Sequence, residues 1–254
     1  MGAGHSHVLY VHEHSVIHRL PAQAKLVAAL GMVVPIAITP REAVWAFGLY
    51  ASIIAGLAGL SKVRPGFLFV RLLAVVPFIV FALFIPFIAG GETVHIGPVA
   101  LSVDGLWGTW NILVKAVLGA GVSILLTATT EIADIIRGLS VLRVPGLFVS
   151  IATFMIRYLE LIVDEFGRMR TAMTARGYDP RWLSQARPIA TSAGALFVRS
   201  YERGERVHSA MLSRGFTGEM PSFDREAPTT SQQAAVTGLV ALFFATSIVA
   251  LIVT

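Results

Sequence analysis

Residues 68–90 read LFVRLLAVVPFIVFALFIPFIAG, with Arg71 near the start as their only charge. A stretch of roughly 20 mostly apolar residues is what it takes to cross about 30 Å of hydrocarbon as a helix. Four other stretches qualify on the same ground: about 22–40, 42–61, 109–128 and 233–254. The whole chain agrees with them. Of its 254 residues 55% are apolar and 14% charged, with a mean hydropathy of +0.73, where a soluble domain carries about 25% charged residues. The fold class expected is an all-α integral membrane protein of about five transmembrane helices with a cytoplasmic pair of long amphipathic helices. Pro35, Pro77 and Pro86 are expected to kink their spans, which lipid tolerates where neighbours re-satisfy the backbone. Gly48, Ala51, Ser52, Ala55, Gly56, Ala58 and Gly59 suit the second span to close helix–helix approach.

The chain has no cysteine, which excludes a disulfide scaffold, an iron–sulfur site, a thiolate zinc site and a cysteine nucleophile. The first twenty residues are polar and His-rich, with no apolar core of a signal peptide. Basic residues set the orientation. Lys62, Arg64 and Arg71 follow the second span, residues 90–108 hold Glu92 and Asp104 but no Lys or Arg, and arginines crowd the region after the fourth span. With the N-terminus inside, only Arg41 lies outside and Lys115 within a span, and the other eighteen of the twenty Lys and Arg lie on the cytoplasmic side. The expected layout is a cytoplasmic segment 1–21, a four-helix membrane region 22–128, a cytoplasmic region 129–228 and a last span in 229–254, its end outside. That is a multi-pass protein of a prokaryotic cell (inner) membrane.

The region 129–228 is no linker. Ile151, Phe154, Met155, Tyr158, Ile162, Phe166, Met169 and Met173 recur at three- and four-residue steps, one face of a long helix. Arg157, Glu160, Asp164, Glu165, Arg168 and Arg170 lie opposite and read as i,i+4 pairs. A second helix over about 189–213 carries a weaker stripe of Phe197, Tyr201, His208 and Met211. One short pattern then occurs twice: AMTARGY at 172–178 and AMLSRGF at 210–216. Glycine just past a helix is the common left-handed cap, arginine in the last turn faces the negative end of the helix dipole, and an aromatic beyond can fold back as a latch. Each copy alone reads as an ordinary helix ending. Two copies at the tips of amphipathic helices present two planar guanidinium forks, suited to bidentate capture of carboxylates, and two forks suit a partner with two related grooves.

The chain resembles the transmembrane T component of energy-coupling factor (ECF) transporters, and within them the cobalt/nickel branch, CbiQ. The resemblance rests on HRLPAQAKL (18–26), MIRYLELIVDEFGRMRTAMTARG (155–177), AMLSRGF (210–216) and the final span. It implies that Ala175, Arg176 and Gly177 and Ser213, Arg214 and Gly215 are ATPase-coupling residues. Ala172, Met173, Tyr178, Ala210, Met211 and Phe216 would support them. The second copy has Ser213 where the family more often has alanine, small for small. Further implied are two cytoplasmic ABC ATPase subunits that bind ATP and Mg, and a substrate-binding membrane S component, CbiM-like, with a small CbiN-like helper. Cobalt or nickel would bind the S component. A vitamin-type or shared S component is the alternative.

Other chemistry is sparse. No G-x-x-x-x-G-K-[ST] loop occurs and none of Lys25, Lys62 and Lys115 follows a glycine, so ATP hydrolysis is expected in partners and the chain is expected not to be an enzyme. No H-E-x-x-H or G-x-S-x-G pattern occurs. The span interiors hold no carboxylate or imidazole. Lys115 and Asn111 are their polar exceptions, Lys115 snorkelling outward or pairing within the bundle, which argues against a stand-alone metal permease. An acid–base membrane enzyme on residues 157–170 is the other class considered. His5, His7, His12 and His14, with His18, suit cobalt, nickel, copper or zinc and are candidates for an exit-side sink, against the plainer reading of a solvated tail. No metal ligand, catalytic residue or cofactor is assigned in the chain. The arginine surplus points to lipid headgroups and protein, not nucleic acid.

Overall fold

The computed structural model describes residues 15, 17–90, 93–96, 99–179, 182, 185–218 and 229–253. His5, His7, His12 and His14 lie outside the described residues. Ten α-helices follow one another among those described: α1 Ala22–Ile38, α2 Val44–Leu60, α3 Pro65–Leu72, α4 Val76–Leu83, α5 Ile85–Ile88, α6 Val103–Thr129, α7 Ile132–Val141, α8 Gly146–Ala175, α9 Arg187–Leu212 and α10 Thr230–Val253. The chain forms an all-α integral membrane protein with one small addition. Strands β1 Thr93–Ile96 and β2 Val99–Ser102 pair antiparallel, Thr93 opposite Ser102 and Ile96 opposite Val99, between α5 and α6. Residues 90–108 carry no Lys or Arg and read as plain loop; the hairpin is too short to show in a periodicity of two.

The segment Pro65–Ile88 and helices α6, α8 and α10 are long and apolar enough to cross a membrane. Helices α1 and α2 have 17 residues each, about 25 Å at 1.5 Å per residue. Two compact units divide the described residues: one within Leu9–Gly138 and Glu226–Thr254, the other within Leu139–Arg225.

In the larger unit Pro77 and Pro86 break the helix of the third stretch, and neighbours take up what they release. Pro35 lies inside α1. Before Pro77 the chain tightens into a 3-10 turn over Leu73–Val75, where the Val76 amide bonds the Leu73 carbonyl that the proline ring cannot serve. Pro86 likewise frees the Ala82 carbonyl, four residues back. The Thr109 hydroxyl of α6 donates to it at 2.8 Å. Ser102 caps α6, accepting from the Gly105 amide at 3.2 Å and donating to the Gly90 carbonyl at 2.9 Å.

Helices α1, α2 and α10 meet in a buried polar knot. Thr39 Oγ1 donates to the Pro35 carbonyl at 2.7 Å and lies 3.2 Å from the Tyr50 hydroxyl and 3.3 Å from Ser247 Oγ. The Tyr50 hydroxyl donates to the Phe243 carbonyl at 3.2 Å, and its ring stacks on Phe243 with centroids 4.7 Å apart. Around the knot, Met32, Ile36, Phe47, Ile54, Leu118, Val122 and Leu125 form the apolar core. Lys115 is paired within the bundle, donating to the Ala37 carbonyl in the last turn of α1 at 2.8 Å. Lys25 is buried and donates to the carbonyls of Thr129 at 2.7 Å and His18 at 3.1 Å, which ties the end of α6 to the start of α1.

Packing in lipid needs close approach, since tails are as apolar as leucine. At Gly31 of α1 a Cβ would lie 2.6 Å from a Val240 methyl of α10, whereas at Gly48 of α2 it would meet nothing within 4 Å. Gly31→Leu is therefore expected to cost about 1–3 kcal/mol from overpacking, and Gly48→Leu to leave stability nearly unchanged. Thermal unfolding of the two variants in detergent checks the difference.

Candidate functional site: two matched helix tips

The smaller unit pairs α8 with α9. Along α8 the half-buried or buried positions include Ser150, Phe154, Tyr158, Ile162, Glu165, Phe166, Met169 and Met173, and along α9 they are Ser192, Leu196, Ser200, Arg203, Val207 and Met211. The first set keeps most of the expected stripe, but Ile151 and Met155 are exposed. The second set corrects the expected stripe on α9. Phe197 and Tyr201, 71% and 61% exposed, lie off the seam, which runs instead through two serines and an arginine.

Glu165 is the buried centre of this seam. Arg199 Nη1 donates to one carboxylate oxygen at 3.2 Å and Arg203 Nη2 to the other at 3.1 Å. The expected pairing of Glu165 along its own helix gives way to this cross-helix clamp. The position is in step with Tyr158 and Ile162 before it and Met169 after it, so the helical period carried the signal, masked by the charge. Two donors for two oxygens leave the carboxylate satisfied, the condition under which a buried charge is tolerated.

The pairing runs antiparallel. Met173 Sδ accepts from Ser192 Oγ at 3.4 Å, Glu165 meets Arg199 and Arg203, and Met211 lines a groove with Phe154, Tyr158 and Val207. Rising numbers on α8 meet falling numbers on α9. The two repeated methionines thus sit 15–19 positions apart along α8, roughly 25 Å at 1.5 Å per residue, so the two motif tips lie toward opposite ends of the pair.

Both tips have the same backbone. At the first, the Gly177 amide bonds the Thr174 carbonyl at 2.9 Å and the Tyr178 amide reaches back to Met173 at 3.1 Å, with Gly177 at φ +78°. At the second, Gly215 bonds Leu212 at 3.0 Å and Phe216 bonds Met211 at 3.0 Å, with Gly215 at φ +80°. This is the Schellman cap, whose 6→1 and 5→2 bonds close the last helix carbonyls and bring the aromatic back over the methionine. It explains the repeat position by position. Methionine supplies the inward anchor, glycine the left-handed turn and the aromatic the latch, so Met173, Tyr178, Met211 and Phe216 are half-buried while Ala172, Ala210, Ala175 and Ser213 are exposed. The Tyr178 hydroxyl also donates to the Gln185 carbonyl. Arg176 and Arg214 are left exposed at the tips, and neither has an ion pair among the described residues. No group of three or more His, Asp or Glu suited to a metal occurs among the described residues.

Residues 13–223 match the CbiQ family, described as cobalt transport protein. The chain belongs to this family. It is similar to the energy-coupling factor transporter transmembrane protein EcfT of Thermosediminibacter oceani, 27% identical over 82% of this chain and 83% of that one. The EcfT of Streptococcus thermophilus is also 27% identical, over 82% and 84%. The cobalt transport protein CbiQ of Rhodobacter capsulatus is 35% identical over 37% of this chain and 39% of that one. This CbiQ-family chain is a multi-pass T component of the energy-coupling factor type, a transport scaffold.

At Gly177 a Cβ would meet nothing within 4 Å, so the glycine is held there by its φ alone. Gly177→Ala is expected to loosen the end of α8 at a cost of about 1–2 kcal/mol. Gly167→Ala, in mid-helix with open space around it, should stabilise by roughly 0.5–1 kcal/mol. Hydrogen exchange at residues 173–178 and thermal unfolding test the contrast.

Proposed function

We propose that the chain couples ATP hydrolysis in two cytoplasmic ABC ATPase subunits to the movement of a substrate-binding S component during import. The observation that carries this reading is the presence of two identically capped tips toward opposite ends of one antiparallel helix pair, each offering an exposed guanidinium. A fork held at a rigid cap loses little freedom on docking, and arginine matches a carboxylate in two parallel bonds. Two such tips suit a partner with two related grooves, a dimer of ATPases that bind ATP and Mg. Arg176 and Arg214 make the contacts, with Ala175, Gly177, Ser213 and Gly215 shaping each tip. The N-terminus and the two motif tips face the cytoplasm, the apolar start of α8 lies in or against the membrane, and the C-terminus is outside, which follows the distribution of Lys and Arg and the apolar length of α8.

Cobalt or nickel is the cargo this reading favours, bound by a CbiM-like S component with a CbiN-like helper. The family description and the Rhodobacter relative support the metal. A second reading, a shared or vitamin-type S component, is favoured by the relatives that cover most of the chain, which are named EcfT without a metal.

The experiment is co-purification in detergent of the chain with its ATPase and S component. Arg176→Glu and Arg214→Glu are each expected to lower ATPase recovery by more than about tenfold, and the double variant to abolish it while the S component stays bound. Arg→Lys at either tip should keep part of the binding and impair ATP-driven uptake of labelled cobalt. Equal ATPase recovery by wild type and double variant would overturn the coupling role. Intact coupling without cobalt or nickel uptake would decide for the second reading.

A further inference from the structure

Left-handed backbone at non-glycine residues occurs at two described positions, and both carry a positive charge: Lys62 at φ +56° and Arg143 at φ +62°. At its helix tips the chain fills this region with glycine, at Gly177 and Gly215. A side chain there is strained, because its Cβ crowds the following carbonyl oxygen. An observed outlier of this kind warrants a functional question.

The two elbows share a local design. Lys62 follows the end of α2 and leads through Val63 and Arg64 to Pro65-Gly66, where α3 starts. Arg143 follows the end of α7 and leads through Val144 to Pro145-Gly146, where α8 starts. In the first elbow Ser61 and Val63 are buried, which turns Lys62 and Arg64 outward, and Arg143 is exposed in the second. The turns close through the backbone, Lys62 N–H to Gly59 at 3.1 Å and Arg143 N–H to Ser140 at 3.3 Å, without help from either cation. Neither Lys62, Arg64 nor Arg143 has an ion pair among the described residues. No Asp or Glu occurs in residues 43–91 or 135–159, so the sequence around each elbow offers no carboxylate.

Directly beyond each elbow stand exposed apolar side chains, Phe69 and Val70 after the first, Leu147 and Phe148 after the second. Both helical segments that start there are long and apolar enough to cross a membrane. In the first, the Arg71 guanidinium lies 3.9 Å from the centre of the Phe67 ring. Lys62, Arg64 and Arg143, without an ion pair among the described residues and set beside apolar surface, complement one kind of molecule: an amphiphile with an anionic head and an apolar tail.

We propose that each elbow binds the headgroup of an anionic phospholipid, Lys62 with Arg64 at the first and Arg143 at the second. Their side chains meet the phosphate while the neighbouring apolar residues lie along the acyl chains. Juxtamembrane Lys and Arg draw anionic lipid in this way. The proposal is independent of the coupling role.

Glycine separates the charge from the fold. The full chain, purified and stripped of lipid, would be titrated with phosphatidylglycerol and with phosphatidylcholine of the same acyl chains, and bound lipid counted by native mass spectrometry. The wild type should prefer phosphatidylglycerol. Lys62→Gly, Arg64→Gln and Arg143→Gly should each reduce that preference about fivefold. The melting temperature of the glycine variants should hold or rise, because the left-handed strain is relieved. Lys62→Arg and Arg143→Lys should keep the preference. Unchanged phosphatidylglycerol preference in the glycine variants would overturn the proposal. So would its loss in the charge-keeping pair, a fall in melting temperature on removing the cation, or lost ATPase recovery with lipid preference intact.

Discussion

The hydrogen bond from the Tyr50 hydroxyl to the Phe243 carbonyl, 193 residues apart in the chain, ties the membrane unit together. Lipid offers helices no hydrophobic reason to associate, so buried polar contacts and close backbone approach must hold them. Thr39, Tyr50 and Ser247 supply the first and Gly31 against Val240 the second. Because α10 is bound to α1 and α2 by these contacts, the chain can leave the unit after Gly138 and re-enter it at Glu226.

The inserted unit solves a different problem. Its two helices are held by a seam whose centre is a doubly bonded carboxylate, with methionines at either end. A charged centre specifies register: sliding α9 by one turn would take one of the two arginines from Glu165 and leave an oxygen of this buried carboxylate without its donor. The caps then fix where each helix stops. Register and end together place both guanidiniums, as the proposed two-point contact requires.

Much of this was legible in the residues. The five apolar stretches, the breaks at Pro77 and Pro86 and the repeated tips follow from length, ring chemistry and φ preference, all local properties. The hairpin at 93–102 was hidden because four-residue strands carry too little pattern. The α9 seam was hidden for another reason. Ser192, Ser200 and Arg203 hold seam positions that hydrophobicity assigns to Phe197 and Tyr201, and only the partner helix decides which face is covered. Glu165 was mispaired because spacing along one helix cannot report a partner 34 and 38 residues away.

The contact between α1 and α10 also sets a timetable for biosynthesis. At about 5–20 residues per second, the ribosome needs roughly 10–40 s to travel from Tyr50 to its partner Phe243. Through that interval the face of α1 around Gly31 waits in the bilayer without α10 and the hydroxyl of Tyr50 has Thr39 but not the Phe243 carbonyl, while the entire inserted unit is made and released. The last helix closes the membrane unit, so a nascent chain that stalls before it leaves α1 available to any helix with a groove for Gly31, and quality control has until then to recognise it.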